Sequence, residues 1–124
     1  MTKNLLILTA VLEAATGIAL LALPVMVVAL LLGASLDTPA AVAVARVTGA
    51  AMLSLGVACW LARDDGQTRP GRGVIAAMLV YNAVVIAVLL HASLVLGLNG
   101  MGLWPAAGGH TALAIWCIAS LRSA

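Results

Sequence analysis

Apolar residues run along this chain in four long blocks separated by short polar punctuation, with no two-residue alternation of the kind a membrane β-barrel requires. The first block extends from Leu5 to about Gly33 and is interrupted by Glu13, Thr16, Gly17 and Pro24. The second runs from about Pro39 to Ala62, the third from Gly73 to Leu98, and the fourth from Leu103 to Leu121. A membrane-crossing helix needs about 20 apolar residues, so each block fills one span. The first is longer than one crossing, and Pro24 removes a helical hydrogen bond and crowds the preceding turn. That predicts a span over Leu5–Leu23, with Pro24–Gly33 either continuing it or forming a half-helix. Thr38 and Pro39 suit the cap and first turn of the second helix. Arg63–Arg72 is the one strongly polar turn, whereas Gly97–Gly102 is uncharged and glycine-rich. The pattern predicts a single all-α domain over residues 1–124, an integral-membrane, antiparallel four-helix bundle.

Composition carries the same message. The 124 residues are 65% apolar and 8% charged, and the mean hydropathy is +1.21. A soluble domain is roughly 25% charged, so this chain cannot cover a water-exposed surface. Four spans leave no room for a soluble catalytic domain, and a net charge of +2 is too weak and dispersed for a nucleic-acid surface. The chain is therefore expected to be non-enzymatic, with the lipid bilayer as its first partner. Lys3, Arg63, Arg69, Arg72 and Arg122 mark one set of span ends, and the opposite ends carry only Asp37. The positive-inside rule places both termini and the 63–72 loop in the cytoplasm. Trp60 and Trp116 then fall near the inner interface and Trp104 near the outer. Glu13 interrupts what would be a signal-peptide core, so no cleavage is expected, and no lipidation box is present. Cys59 and Cys117 fall on the reducing side and are expected to pack as small apolar residues.

Charges inside a span cost about 2.5–3.5 kcal/mol on insertion scales, and Glu13 and Arg46 both lie inside one. Thr16, Tyr81, Asn82, His91 and His110 accompany them. At about 1.5 Å per helical residue, Glu13 lies ~12 Å from the cytoplasmic end of its span, level with Tyr81 and Asn82. Arg46 lies ~10 Å below the outer end, at a depth shared by His91 and His110 on either side of the Gly100 turn. Depth thus predicts an outer layer of Arg46, His91 and His110 and an inner layer of Glu13, Tyr81 and Asn82.

Several chemistries fit these layers. A structural core would pair Glu13 with Arg46 and use Asn82 and the histidines as interhelical hydrogen bonds. A hydrophobic ligand with a polar head, a quinone or lipid, would be held by Arg46 and a histidine and oriented by Tyr81 or Asn82. A haem b could take His91 and His110 as axial ligands with Arg46 at a propionate, although the tight Gly-rich turn favours close helix contact over a gap. A two-histidine-plus-carboxylate metal site is poorly served because Glu13 is a layer away, and no metal is expected. Finally, a membrane carboxylate can exchange protons against a cation.

The octet Ala10-Val11-Leu12-Glu13-Ala14-Ala15-Thr16-Gly17 resembles the first span of small multidrug resistance transporters, which implies Glu13 as the proton and cation site. The chain departs from that family in aromatic content, with Phe 0 and Tyr 1. A second resemblance covers roughly residues 15–60. Gly17, Pro24, Leu32-Gly33, Arg46-Val47-Thr48-Gly49 and Leu55-Gly56 form a series similar to the DoxX-like group of small four-span bacterial membrane proteins. That resemblance implies a compact bundle in the bacterial inner membrane, in some members associated with quinone-linked redox complexes. Arg46, Gly49, Leu53 and Gly56 share one face of the second span, and Ala107, His110, Ala114 and Cys117 share a stripe of the fourth. Small residues on such faces serve close packing within the bundle or a homodimer.

Overall fold

Pro24 ends the first helix. In the computed structural model, which describes residues 1–123, α1 spans Thr2–Ala22 and α2 spans Pro24–Leu32, with Leu23 alone between them in a non-helical conformation. The Leu23 amide still bonds Ala19 O at 2.7 Å and Val27 bonds Leu23 O at 3.1 Å, so the interruption is a local kink. The 24–33 segment is therefore a short helix of its own, ended by Gly33 at φ 66°, where glycine avoids the left-handed Cβ penalty. Helix α3 covers Pro39–Leu61, α4 covers Arg69–Leu94 and α5 covers Leu103–Arg122. The Thr38 and Thr68 side chains each cap a helix, accepting from Ala41 N and Gly71 N.

The architecture is all-helical, with five helices among the described residues. Helices α1, α3 and α4 are long and apolar enough to cross a membrane. Helix α5 has 20 residues, but its central Gly108-Gly109-His110-Thr111 stretch lowers its apolar content.

Helices α1 and α3 run antiparallel with their backbones in contact. A Cβ on Gly17 would stand 2.6 Å from Gly49 O and 2.6 Å from Leu53 N, and one on Gly56 would meet Ala10 O and Ala14 N at 2.9 Å. Only glycine admits that approach, the geometry of small-residue crossings in membrane helices. The buried stripe of α3 is Ala45, Gly49, Gly56 and Cys59. Arg46, which sequence spacing places on the Gly49 face, instead turns outward. Three residues is 60° short of a full helical turn, and the α1 backbone leaves no room for a side chain at that edge.

One end of the molecule brings together the start of α1, the 62–68 turn and the end of α5. Lys3 Nζ pairs with Asp64 Oδ1 at 2.6 Å, and Arg72 Nη2 donates to Leu121 O at 2.9 Å. Asp64 is exposed, and the Lys3 hydrogen bond and charge hold its carboxyl below the ordinary aspartate range. Arg63 donates to Trp60 O at 2.6 Å and stacks 4.4 Å over its ring. The opposite end joins α2 to the α4–α5 turn, with Gly102 N donating to Leu30 O at 2.9 Å. Two apolar clusters fill the interior. The first, of Leu5, Leu6, Ala10, Cys59, Ile75, Met78, Leu113 and Cys117, draws on α1, α3, α4 and α5. The second, of Leu89, Ala92, Leu103 and Ala107, sits beneath α2.

Candidate functional site

Glu13 belongs to the buried stripe of α1, with Thr9, Ala10, Gly17 and Leu20. It is 3% exposed. Among the described residues its Oε2 has no hydrogen-bond partner. Tyr81 on α4 is its polar neighbour, phenol facing carboxyl. Beyond Tyr81 lies His110 of α5, with the two rings edge to face at a centroid distance of 5.7 Å. His110 Nδ1 is 2.7 Å from Asn82 Oδ1. The Asn82 amide is itself fixed, because its Nδ2 donates to Met78 O at 2.7 Å. With Oδ1 thus turned toward the imidazole, His110 Nδ1 is the donor, and the free lone pair of a neutral ring is on Nε2. Asn82 is 0% exposed. Asn82, one position after Tyr81, grips α5, while Tyr81 reaches α1. The pair bridges three helices with one cluster, Glu13–Tyr81–His110–Asn82.

The structure therefore brings together four of the six residues singled out by sequence and leaves two outside. His91 is exposed. It lies nine residues beyond Asn82 on α4, which at 3.6 residues per turn is the opposite side of the helix. His91 and His110 do not face a common space, and the pair does not fit an axial haem couple. Arg46 is also exposed, and among the described residues Lys3 and Arg63 are the cations that form ion pairs, both with Asp64. The Glu13–Arg46 pair is not formed, since Glu13 faces α4 and Arg46 turns off the bundle. The division into an outer and an inner layer gives way as well. His110, assigned by depth to the outer layer, bonds Asn82 of the inner one.

Two grooves flank the helices. A shallow apolar one of about 250 Å³ lies between α1 and α3, lined by Ala10, Val11, Ala14, Gly56, Val57 and Trp60. Ala10 and Ala14 stand within one turn of Glu13 along α1. A wider one of about 680 Å³ lies at the N-terminal end of α3 and is lined by Leu36, Asp37, Thr38, Pro39, Val42, Ala43 and Arg46. Sequence reasoning did not foresee it. The signal was legible in the helical spacing of residues 39, 42, 43 and 46, which share a face.

These features define an all-helical protein with several helices apolar enough for a membrane and a small buried polar cluster linking α1, α4 and α5. No family model matches the chain, and comparison with curated proteins and with solved structures likewise gives no match.

Proposed function

We propose that the chain is a four-span protein of the bacterial inner membrane, with both termini in the cytoplasm, that binds a lipid-soluble ligand through Glu13. One observation carries this reading. The Glu13 carboxyl is buried, and among the described residues one of its oxygens is unpartnered and no cation pairs with it. Buried polar groups are paired in the great majority of cases, and a lone charge at that depth is expensive. A ligand head that donates a hydrogen bond or carries a positive charge supplies the missing partner. This departs from the expectation of a polar head held by Arg46 and a histidine, because Arg46 and His91 lie outside the cluster. Tyr81 orients the carboxyl, and the Asn82–His110 hydrogen bond holds α4 against α5 so that Tyr81 stays in place. The apolar groove beside Ala10 and Ala14 suits a hydrocarbon tail.

The test is extraction of the detergent-purified protein and mass spectrometry of what it carries. A stoichiometric amine or hydroquinone-type molecule is expected in the wild type and absent from Glu13→Gln, with unchanged helical content. An equal amount in both proteins overturns the reading. The same unpaired carboxyl favours a second reading, proton-coupled transport of a cationic solute, in which a proton and the solute occupy Glu13 in turn. Substrate-driven proton movement in proteoliposomes, abolished by Glu13→Gln, separates transport from static binding.

A further inference from the structure

Arg46 is unexplained by the Glu13 site. It lies about seven residues, or ~10 Å, along α3 from Pro39. Among the described residues its guanidinium makes no ion pair, and the chain contributes no hydrogen bond to it. In a helix the Cα–Cβ bond tilts toward the N-terminus. The N-terminus of α3 is the end that carries Asp37 and Thr38, so the Arg46 side chain leans toward the outer interface. Arginine in that position extends its stem along apolar surface and delivers its charge to the headgroup level. It does so here along Val42 and Ala43, within the groove whose far rim is Asp37. Asp37 is equally uncommitted to a cation. Its Oδ2 accepts a hydrogen bond from Ser35 Oγ at 2.7 Å, and neither of the ion pairs includes it.

One groove therefore presents a cation and an anion that do not neutralise each other, over a floor of Leu36, Pro39, Val42 and Ala43. We propose that it is a binding site for a zwitterionic phospholipid of the outer leaflet whose headgroup carries a primary ammonium, a phosphatidylethanolamine. The guanidinium takes the phosphate, for which its planar set of donors is suited. The Asp37 carboxylate takes the ammonium, and the acyl chains run down the exposed Val44 and Val47 of α3. The charge arrangement selects among lipids. Phosphatidylglycerol offers the phosphate and neutral hydroxyls but no cation for Asp37, and its net negative charge faces that carboxylate. Phosphatidylcholine offers a cation that cannot donate a hydrogen bond to Asp37. A groove of about 680 Å³ is in the range of small-molecule sites. The inference is independent of Glu13, which lies on another face and at another depth.

Native mass spectrometry of the full chain, released from mixed detergent–lipid micelles with equal amounts of the three lipids, tests it. The wild type is expected to retain one phosphatidylethanolamine at least fivefold over either competitor. Arg46→Leu, on an exposed face where folding does not depend on the charge, is expected to lose the retained lipid, and Arg46→Lys to keep part of it. Asp37→Asn is expected to keep a lipid but lose the preference for phosphatidylethanolamine over phosphatidylglycerol. Equal retention of the three lipids by the wild type overturns the proposal. So does an Arg46→Leu protein that binds lipid unchanged, or one whose altered property is its dimer fraction, which would assign this face to a second copy of the chain.

Discussion

The contact between α1 and α3 lends itself to a quantitative test. Replacing Gly17 by alanine places a methyl carbon 2.6 Å from Gly49 O and 2.6 Å from Leu53 N, against an ordinary contact that begins at 3.4 Å. The obstructing atoms are backbone and cannot rotate away, so the helices must separate locally by the better part of an ångström. That separation loosens the packing along Ala10, Ala14 and Gly56, where the backbones also touch. Overpacking of this kind costs about 1–3 kcal/mol, or about a 5- to 150-fold shift of the folding equilibrium at 1.4 kcal/mol per tenfold. Gly49→Ala, which meets Gly17 O at 2.7 Å across the same seam, is expected to cost a similar amount. The double variant is expected to fall short of the sum, since one separation relieves both clashes. Gly108→Ala is the control. Nothing lies within 4 Å of its added methyl, and spans keep their helical hydrogen bonds even when dissociated in a bilayer, so it is expected to stay within about 0.5 kcal/mol of the wild type. Reversible unfolding in mixed micelles of rising SDS fraction, followed by tryptophan fluorescence, reads all four. A Gly17→Ala protein as stable as the Gly108→Ala control refutes the backbone contact.

Three further outcomes follow from the placement of charges and amides. Glu13→Gln and Arg46→Leu are expected to act independently, with a coupling below about 0.5 kcal/mol in a double-mutant cycle; repair of one by the other would restore the ion pair that the structure lacks. Asn82→Ala removes the acceptor of His110 Nδ1 and the tie between α4 and α5. It is expected to cost about 0.6–1.7 kcal/mol for the interhelical bond, plus the cavity left at a fully buried site, read in the same SDS titration. The Lys3–Asp64 pair makes its end of the molecule acid- and salt-sensitive. The Asp64 carboxyl sits below its unfolded value, so the pair's contribution is present above that value, about 3.9, and is lost as pH falls through the folded one. Melting temperatures between pH 6 and pH 3 are expected to show this step, shrunken at high salt and absent in Asp64→Asn.

Much of the architecture was legible in the chain itself. Bilayer-length apolar blocks, Pro24, the Thr38-Pro39 start and a polar turn after α3 set the helices, because backbone hydrogen bonding and proline sterics act locally and do not depend on what a helix touches. Helix α4 nevertheless begins at Arg69, inside the 63–72 segment read as that turn. Glu13, Tyr81, Asn82 and His110 stood out for a similar local reason: polar groups in apolar runs need partners. Which partners they found was decided by rotation about the helix axes. Depth along a span is read from residue number, and depth placed Arg46, His91 and His110 together. Azimuth is set by the face each helix buries, and it sent His91 to the far side of α4 from Asn82. The backbone contact of Gly17, Gly49 and Gly56 fixed the azimuth of α3 and so turned Arg46 out beside Asp37. A stripe of small residues announces that two helices can approach. Only the packed structure says which edge of that stripe is closed by another backbone and which is left open.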